Sequence, residues 1–465
     1  MIKQIMTMTV MWCALAVAFP LHAQQQAPTL GSLWPQVKEN YPGIGAKKAA
    51  IDAAEYNKRA VKGAMLPQVN AQAQHTYGTY EGSAGAFFPQ TGLFNVSGAA
   101  NTLDGSSTNG SPMAANNFGS ATVEWELFSF GKLRKENEAA TAGYYKAVSE
   151  KEAYLLHLKK TLSERYITLL YNDAKLTWTK KNAERLGDIR EITSGLSAAG
   201  LRPAADSLLA SSSYVQAMGE YDKWTGLKNA AFIKLLELQG NDTVYYAASA
   251  ERFTNPRANQ LTDKGSISAS HPILDALEKQ SDYYTASGEA QQRSSLPSLS
   301  LLGGYSYRGT GIKPDGTVSH AWKDGFNNGA GNLLAGIGIT WNITSLHTSR
   351  IKGKGILKEA ESTKLLRSQY AQAMQADLSA SQAKTRQQYK QLGKTRHAVK
   401  QSQDAYDMYL ARYQGGLIAL TELLQIRALL EQAEDKHIEA SRDYWMLLAY
   451  EAELTANFDF LFNNL

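Results

Sequence analysis

The stretch that decides the fold is Tyr413-Gln-Gly-Gly-Leu-Ile-Ala-Leu-Thr-Glu-Leu-Leu-Gln425, a pair of glycines between two long runs of helix-forming residues. An earlier stretch, Gly200-Leu-Arg-Pro-Ala-Ala-Asp-Ser-Leu-Leu-Ala210, has the same form. Gly200 and Gly416 lie 216 positions apart, and the same offset relates Leu201 to Leu417. The two turns therefore mark equivalent points in a tandem repeat.

The repeat extends through the rest of the chain. Trp125 and Trp341 keep the offset of 216, whereas Leu66-Pro67 and Leu296-Pro297 lie 230 positions apart. The offset changes only between the two strands of each half, where loops are expected to differ in length. Because solenoid repeats are far shorter, roughly 20 to 50 residues, we interpret the pattern as duplication of a whole helix-strand-strand-helix-helix unit.

Residues 1–23 have the features of a secretory signal peptide. Lys3 supplies the positive start, an apolar run follows from Met6 to Phe19, and Leu21-His22-Ala23 precedes a glutamine cluster. The only cysteine, Cys13, lies inside this segment without the small preceding residue of lipoprotein signals. We therefore expect neither a lipid anchor nor a disulfide or thiol metal site in the mature chain. The net charge of +5 is too small to indicate a nucleic-acid partner.

Four stretches alternate between apolar and polar residues, which is the period of a β-strand. In the second stretch, Trp125 falls on the apolar side and Glu124 on the polar side. Such strands fit either an outer-membrane β-barrel or a soluble sandwich. Since a membrane barrel needs about eight strands, the first alternative requires several copies of the chain. The predicted strands are residues 68–80, 119–128, 298–308 and 333–344.

Two helical runs without internal proline follow the second strand of each half. Leu155, Leu158, Leu162, Tyr166 and Leu169 are spaced by three or four, as in a coiled coil. A run of about 60 residues would be about 90 Å long, too long for one globular domain. The predicted long helices are residues 131–193 and 348–411, and the predicted return helices are 203–239 and 419–457.

These elements define the expected domain organisation. The first repeat covers residues 24–240 and the second covers 266–465. Between them, residues 241–265 are polar, and we expect an irregular, small packing segment there. The segment 80–119 is rich in Gly, Ser and Asn and is predicted to be a long exposed loop, and 308–331 is predicted to be the shorter loop of the second half.

Taken together, these features resemble the TolC-like outer membrane efflux protein family. The likeness rests on the leader, the doubled organisation, Leu-Pro before a strand, Trp125-Glu-Leu-Phe-Ser-Phe-Gly131 leading into a helix, and the glycine turn in two copies. It covers essentially the whole mature chain. The resemblance implies a mixed α and β homotrimer in the outer membrane of a Gram-negative bacterium, with a twelve-stranded β-barrel continued by a periplasmic α-helical tunnel. It also implies a passive exit duct, joined by a periplasmic adaptor protein to an inner-membrane transporter, in a tripartite pump or type I secretion system.

The same resemblance implies roles for individual residues. The glycine turns would form the periplasmic tip, with Gly200, Leu201, Gly415, Gly416 and Leu417 in contact with the adaptor. The family's acidic ring at the closed pore maps onto Glu422 and Gln425, so one of its two acids is lost. The family's basic residue at the tip maps onto Ile418, and Arg202 is a substitute for its tethering role. Aromatic residues at the strand ends would meet the membrane interfaces: Tyr77, Trp125, Tyr305, Tyr307 and Trp341.

Local alternatives remain for these residues. A ring of Glu422 and Asp206 would favour cations in a narrow pore. Each acid also lies in the first turn of a helix, where a carboxylate is favoured by the helix dipole. Leu201 and Leu417 fit either an adaptor contact or simple packing of the turn.

No constellation for catalysis or cofactor binding stands out. Gly353-Lys354-Gly355 is far short of a phosphate-binding loop. The histidines are scattered without metal-ligand spacing, and His437 is expected at the surface. We therefore expect no enzyme activity, no cofactor and no metal. The alternative function is an outer-membrane binding or structural protein that acts through the extracellular loop from Tyr80 to Gly119.

Overall fold

The computed structural model describes residues 29–79, 113–240, 250–256, 267–311 and 319–465. The expected signal peptide, residues 1–23, lies outside this range. So do residues 80–112, which make up most of the predicted first loop.

The described residues contain nine α-helices and four β-strands. The first half contains α1 (Leu30–Asn40), α2 (Pro42–Gly63), β1 (Gln68–Thr79), β2 (Met113–Phe128), α3 (Lys132–Ala198), α4 (Ala204–Gln239) and α5 (Ala250–Thr254). The second half contains α6 (Pro272–Arg293), β3 (Ser298–Thr310), β4 (Ala330–Thr340), α7 (Ser345–Gln414), α8 (Leu420–Thr455) and α9 (Asp459–Asn464). The elements from α6 to α8 repeat the order of those from α2 to α4.

The long helices α3 and α7 have 67 and 70 residues, or about 100 Å each at 1.5 Å per residue. Helix α3 packs against α2, α4, α6 and α8, and α7 packs against α6 and α8. The five residues whose spacing indicated a coiled coil, from Leu155 to Leu169, are all buried, as predicted. The apolar seam of α3 is therefore covered along its middle by neighbouring helices.

The four strands form one antiparallel sheet in the order β1-β2-β3-β4. Val69 pairs with Val123, and Trp125 pairs with Leu301, so the apolar residues of adjacent strands share one face. That face is open: Leu333, Ile337 and Ile339 in β4 are 83%, 70% and 74% exposed. We call it the outward face. The sheet joins helices at one end, the helix end, and loops at the other, the loop end.

The start of β2 differs from the prediction. The strand begins at Met113 rather than at residue 119, because Met113–Phe118 continues the ladder opposite Thr79–Gln74. Asn116 and Asn117 suggested a loop, yet both pair with β1 on one side and with β3 on the other. Ladder hydrogen bonds on two sides override the low strand propensity of asparagine.

Other boundaries also differ. β4 runs from Ala330 to Thr340 rather than over 333–344, since the Asn342 side chain accepts from the Ser345 amide at 3.2 Å and begins the turn into the next helix. A short 3₁₀ helix, Trp322–Phe326, lies in the predicted second loop. The expectation that residues 241–265 are irregular was wrong for Ala250–Thr254, which form α5. Helix α9 was not predicted.

Three short helices form a cluster around the middle of α3 and α8. Trp445 of α8 is completely buried, and its indole donates to the carbonyl of Phe253 in α5 at 3.0 Å. The Tyr166 hydroxyl of α3 donates to the carbonyl of Leu465, just after α9, at 3.3 Å. Leu30, Leu33 and Val37 of α1 are buried in the same core. Burial of Phe253 explains why a polar segment contains a helix.

The two halves use the same contact where sheet meets helix. The Trp125 indole donates to the carbonyl of Met65 at 3.1 Å, and the Trp341 indole donates to the carbonyl of Ser295 at 3.2 Å. Met65 and Ser295 each precede a Leu-Pro pair. Each tryptophan therefore ties the end of one strand to the end of the helix before its partner strand.

No helix in the described ranges is long and apolar enough to cross a membrane.

Both glycine turns end their long helix in the left-handed conformation. Gly200 has φ of +72° and Gly416 has φ of +76°, values that favour glycine. In each turn the amide after the glycine donates to a carbonyl five residues earlier: Leu201 to Leu196 and Leu417 to Arg412, both at 2.9 Å. The repeat therefore extends to individual hydrogen bonds.

Gly416→Ala should weaken its turn through backbone strain alone, since nothing lies within 4 Å of an added Cβ. A left-handed alanine costs about 1 to 2 kcal/mol, so the Leu417 amide should exchange hydrogen roughly tenfold faster. The matched control is Gly415→Ala, because Gly415 has φ of −76° and tolerates a side chain. Equal exchange rates in the two variants would contradict this account of the turn.

Candidate functional site

The two glycine turns lie side by side and are joined by one arginine. Arg202 follows the first turn, and its Nη2 donates to the carbonyl of Ile418, in the second turn, at 2.7 Å. The same guanidinium lies 5.3 Å from the ring centre of Tyr413. The contact links the hairpin of α3 and α4 to the hairpin of α7 and α8. We call the two turns with this contact the tip.

Tyr413 gives Arg202 a fixed platform. Its side chain is completely buried, and its hydroxyl lies 3.2 Å from that of Thr193 in α3. The Thr193 hydroxyl donates to the carbonyl of Ile189 at 2.6 Å and therefore accepts from the hydroxyl of Tyr413. The ring therefore cannot move without disturbing α3, so the arginine rests on a surface shared by both halves of the chain.

Above the tip, a polar layer joins α3, α7 and α8. Arg185 of α3 makes a two-pronged ion pair with Glu434 of α8, with both N–O distances at 2.7 Å, and donates to Gln403 of α7 at 3.1 Å. Both charged side chains are mostly buried. The carboxylate of Glu434 raises the pKa of Arg185. A paired, planar geometry of this kind fixes how the helices are aligned.

A second polar cluster joins α3 and α8 one to two helical turns away from the pair of Arg185 and Glu434. Asn182 of α3 donates to Glu431 of α8 at 3.0 Å and accepts from Arg427 at 2.9 Å. Arg427 also binds Glu431 at 2.8 Å. Sequence reasoning missed both clusters. The only signal was the Arg427 and Glu431 spacing of four residues on one helix, which is common on solvated surfaces.

The proposed gate residues occupy the start of the return helices. Asp206 is half-buried, whereas Glu422 and Gln425 are exposed. The Glu422 carboxylate lies 3.5 Å from the amide of Ala419, longer than an ordinary hydrogen bond. Among the described residues, neither acid forms an ion pair with Arg202 or any other cation. Both carboxylates therefore remain available to solvent at the tip, and Glu422 is only loosely held as a helix cap.

The two turn leucines point into solvent. Leu201 is 70% exposed and Leu417 is 76% exposed. Gly200, Gly415 and Gly416 present bare backbone beside them. An apolar side chain at the apex of each hairpin does not serve to pack its own turn, which argues against the simple packing alternative.

The five aromatic residues predicted at the membrane interfaces share the outward face. Tyr77 and Tyr307 lie toward the loop end, Trp125 and Trp341 lie at the helix end, and Tyr305 lies near the middle of β3. All five are between 37% and 53% exposed. The structure thus places two of the five at each end of one face of the sheet.

The expectation for His437 was wrong. It lies between α8 and α7, half-buried, with Nδ1 at 2.9 Å from the Thr395 hydroxyl. Burial lowers its pKa. Within the described ranges, no three His, Cys, Asp or Glu residues are arranged to hold a metal ion.

Solved structures with this fold come from several bacteria. The chain is similar to the outer-membrane channel CmeC of Campylobacter jejuni, with a TM-score of 0.71 and 15% identity over 92% of this chain and 85% of that one. It is also similar to the outer membrane protein VceC of Vibrio cholerae, with a TM-score of 0.70 and 14% identity over 92% and 96% of the two chains. It is similar as well to the open MtrE channel of Neisseria gonorrhoeae, with a TM-score of 0.63 and 17% identity over 92% of this chain and 89% of that one.

At these identities the structural likeness establishes the fold alone, and no curated protein matches the chain significantly. A family model provides the assignment. The model described as outer membrane efflux protein matches residues 33–241 and 265–446, which are the two halves of the repeat. The chain therefore belongs to the outer membrane efflux protein family and is a protein of the Gram-negative outer membrane.

Proposed function

We propose that this protein is the outer-membrane exit duct of a tripartite efflux pump or a type I secretion system. The observation that carries the proposal is the paired architecture. Two helices of 67 and 70 residues leave the same sheet and end in adjacent, matching turns. A duct of this kind conducts substrate passively, so the energy comes from an inner-membrane transporter.

The dimensions of the outward face support its placement in lipid. Tyr77 pairs with Ala115 near the loop end, and Trp125 lies ten residues further along β2. Ten residues span about 34 Å along a strand, or about 25 Å across the membrane when the strand is tilted by about 45°. This is the height of the apolar band of outer-membrane barrels.

The two unpaired edges of the sheet support the proposal of a homotrimer. β1 and β4, with 12 and 11 residues, are the edges of the sheet, and long apolar edges are unstable in isolation. Three copies joined edge to edge give a closed barrel of twelve strands. The exposed apolar residues Val215 on α4 and Leu365 on α7, 63% and 66% exposed, are suited to contacts between neighbouring subunits in the helical tunnel.

The tip is the proposed gate. Repetition around a threefold axis would bring three copies of Glu422 and Asp206 to the mouth, with Gln425 one turn beyond Glu422. A ring of carboxylates in a narrow opening favours cations and repels anions. Arg202 would keep this mouth closed by holding the two hairpins together, in place of the basic residue that Ile418 replaces. Leu201 and Leu417, exposed beside the glycines, would meet the periplasmic adaptor.

Conductance of the purified protein in planar bilayers tests the duct and its gate. Glu422→Ala or Asp206→Ala should lower the preference for cations over anions, because each removes three negative charges from the mouth. Glu55→Ala, on α2 and far from the tip, is the control for loss of an acid. If the protein conducts and neither tip variant changes conductance or selectivity, the gate assignment is wrong. A protein that forms no channel in any variant would contradict the duct.

Arg202→Ala should raise the resting conductance. Loss of a charged hydrogen bond across the hairpins costs the closed form about 1.5 to 3 kcal/mol, which shifts the opening equilibrium roughly tenfold or more. Arg412→Ala is the matched control, since Arg412 is exposed near the tip and contacts Tyr409 of its own helix. Equal resting conductance in native protein and the Arg202 variant would remove Arg202 from the gate.

Leu417→Cys should crosslink to the adaptor in cells. The only cysteine in the sequence is Cys13, within the expected signal peptide, so the introduced thiol would be unique in the mature chain. Lys62→Cys, at the sheet end of α2, serves as the control. Capture of a periplasmic protein at residue 417 and not at residue 62 is the expected result. Failure to capture one would count against adaptor docking at the turns.

A further inference from the structure

Residues 319–329, between β3 and β4, fold back over the outward face at the loop end of the sheet. We call them the cover segment. The Tyr77 hydroxyl donates to the carbonyl of His320 at 3.2 Å, and His320 Nδ1 lies 2.9 Å from the carbonyl of Met113. The Tyr307 hydroxyl donates to the carbonyl of Phe326 at 3.3 Å. The segment is therefore held against β1, β2 and β3 by polar contacts.

Glycines allow the close approach. A Cβ on Gly325 would lie 2.8 Å from Cε1 of His75, and a Cβ on Gly309 would lie 2.5 Å from the carbonyl oxygen of Gly325. Both distances are shorter than side chains tolerate. The Thr310 amide also donates to the carbonyl of Asn327 at 2.8 Å. The cover segment is thus a packed part of the sheet surface.

The cover segment lies over a polar position. His75 and its cross-strand partner Asn117 interrupt an outward face that is otherwise small, apolar or aromatic along β1 and β2. The His75 ring lies 4.2 Å from the ring of Trp322 and stacks on Phe326 at 4.9 Å. Its nitrogens have no hydrogen-bond partner among the described residues. A polar ring is costly in hydrocarbon, and the two aromatic rings shield it.

The two rings that cover His75 are themselves about half exposed. Trp322 is 59% exposed and Phe326 is 53% exposed, and Lys323 between them is also exposed. Indole and phenyl rings beside a cation suit the boundary between acyl chains and phosphate headgroups. The segment lies level with Tyr77 and Tyr307, which form the row of aromatic residues at the loop end.

We propose that the cover segment anchors the protein in the outer leaflet of the membrane. Trp322 and Phe326 enter the acyl chains just below the headgroups, and Lys323 faces the phosphates. The anchor fills the place that lipid would otherwise take over His75. This inference rests on the proposed function, in which the outward face of the sheet meets lipid.

Depth-dependent fluorescence quenching tests the anchor. The full mature chain carrying Lys323→Cys, labelled with an environment-sensitive fluorophore, is placed in phosphatidylcholine vesicles that contain brominated lipid. Bromines near the headgroup should quench the label more than bromines near the chain ends. A second measurement keeps the segment unlabelled: shallow bromines should quench less of the total tryptophan emission in Trp322→Phe than in native protein.

Two further labelling sites separate the possible failures. Ile337→Cys, at a 70% exposed position on the outward face of β4 and at the register of Trp125, should be quenched by the brominated lipids. Thr76→Cys, on the opposite face of β1 beside Tyr77, should be quenched by neither lipid. The anchor would be overturned, and the duct left intact, by one combination of results. In that combination the label at residue 337 is quenched, the label at residue 323 is not, and Trp322→Phe leaves the quenching of tryptophan emission unchanged. Absence of quenching at residue 337 would overturn both proposals.

Discussion

The length of α3 and α7 constrains everything else in the structure. A helix of about 100 Å has far too much surface to be stable alone, and its apolar seam must be covered along its whole course. In the described residues, α3 meets this need mainly by packing against α2, α4, α6 and α8. The buried pair of Arg185 and Glu434 adds alignment, since a misaligned seam would leave two charges buried without partners. The positions of the two turns at the tip depend on this alignment of the helices.

The tip contains two hairpins with the same backbone and different side chains. Both turns use a left-handed glycine and the same hydrogen bond, so the backbone is repeated closely. The side chains are not: Arg202 stands in the first half where Ile418 stands in the second, and the contact runs from the first to the carbonyl of the second. A single charged side chain therefore breaks the symmetry of the repeat and joins its halves.

Sequence reasoning was strongest where a pattern follows directly from periodicity. The alternation in Val123, Trp125 and their neighbours correctly identified one face of the sheet, because a strand places every second residue on the same side. The same reasoning failed at Asn116 and Asn117, whose composition indicates a loop although strands on both sides satisfy their backbone. It also failed at Phe253, where burial against Trp445 stabilises a helix within a polar segment.

The sequence by itself determined the repeat, the helix or strand state of the long periodic stretches, and the position of both glycine turns, since these depend on local spacing and backbone conformation. Only the tertiary structure decided which distant residues meet. The contact of Arg202 with Ile418 and Tyr413, the polar layer around Arg185, and the aromatic cover on His75 each join segments far apart in the chain. No local pattern specifies such partners, because they depend on how the helices and strands are aligned when their apolar surfaces pack together.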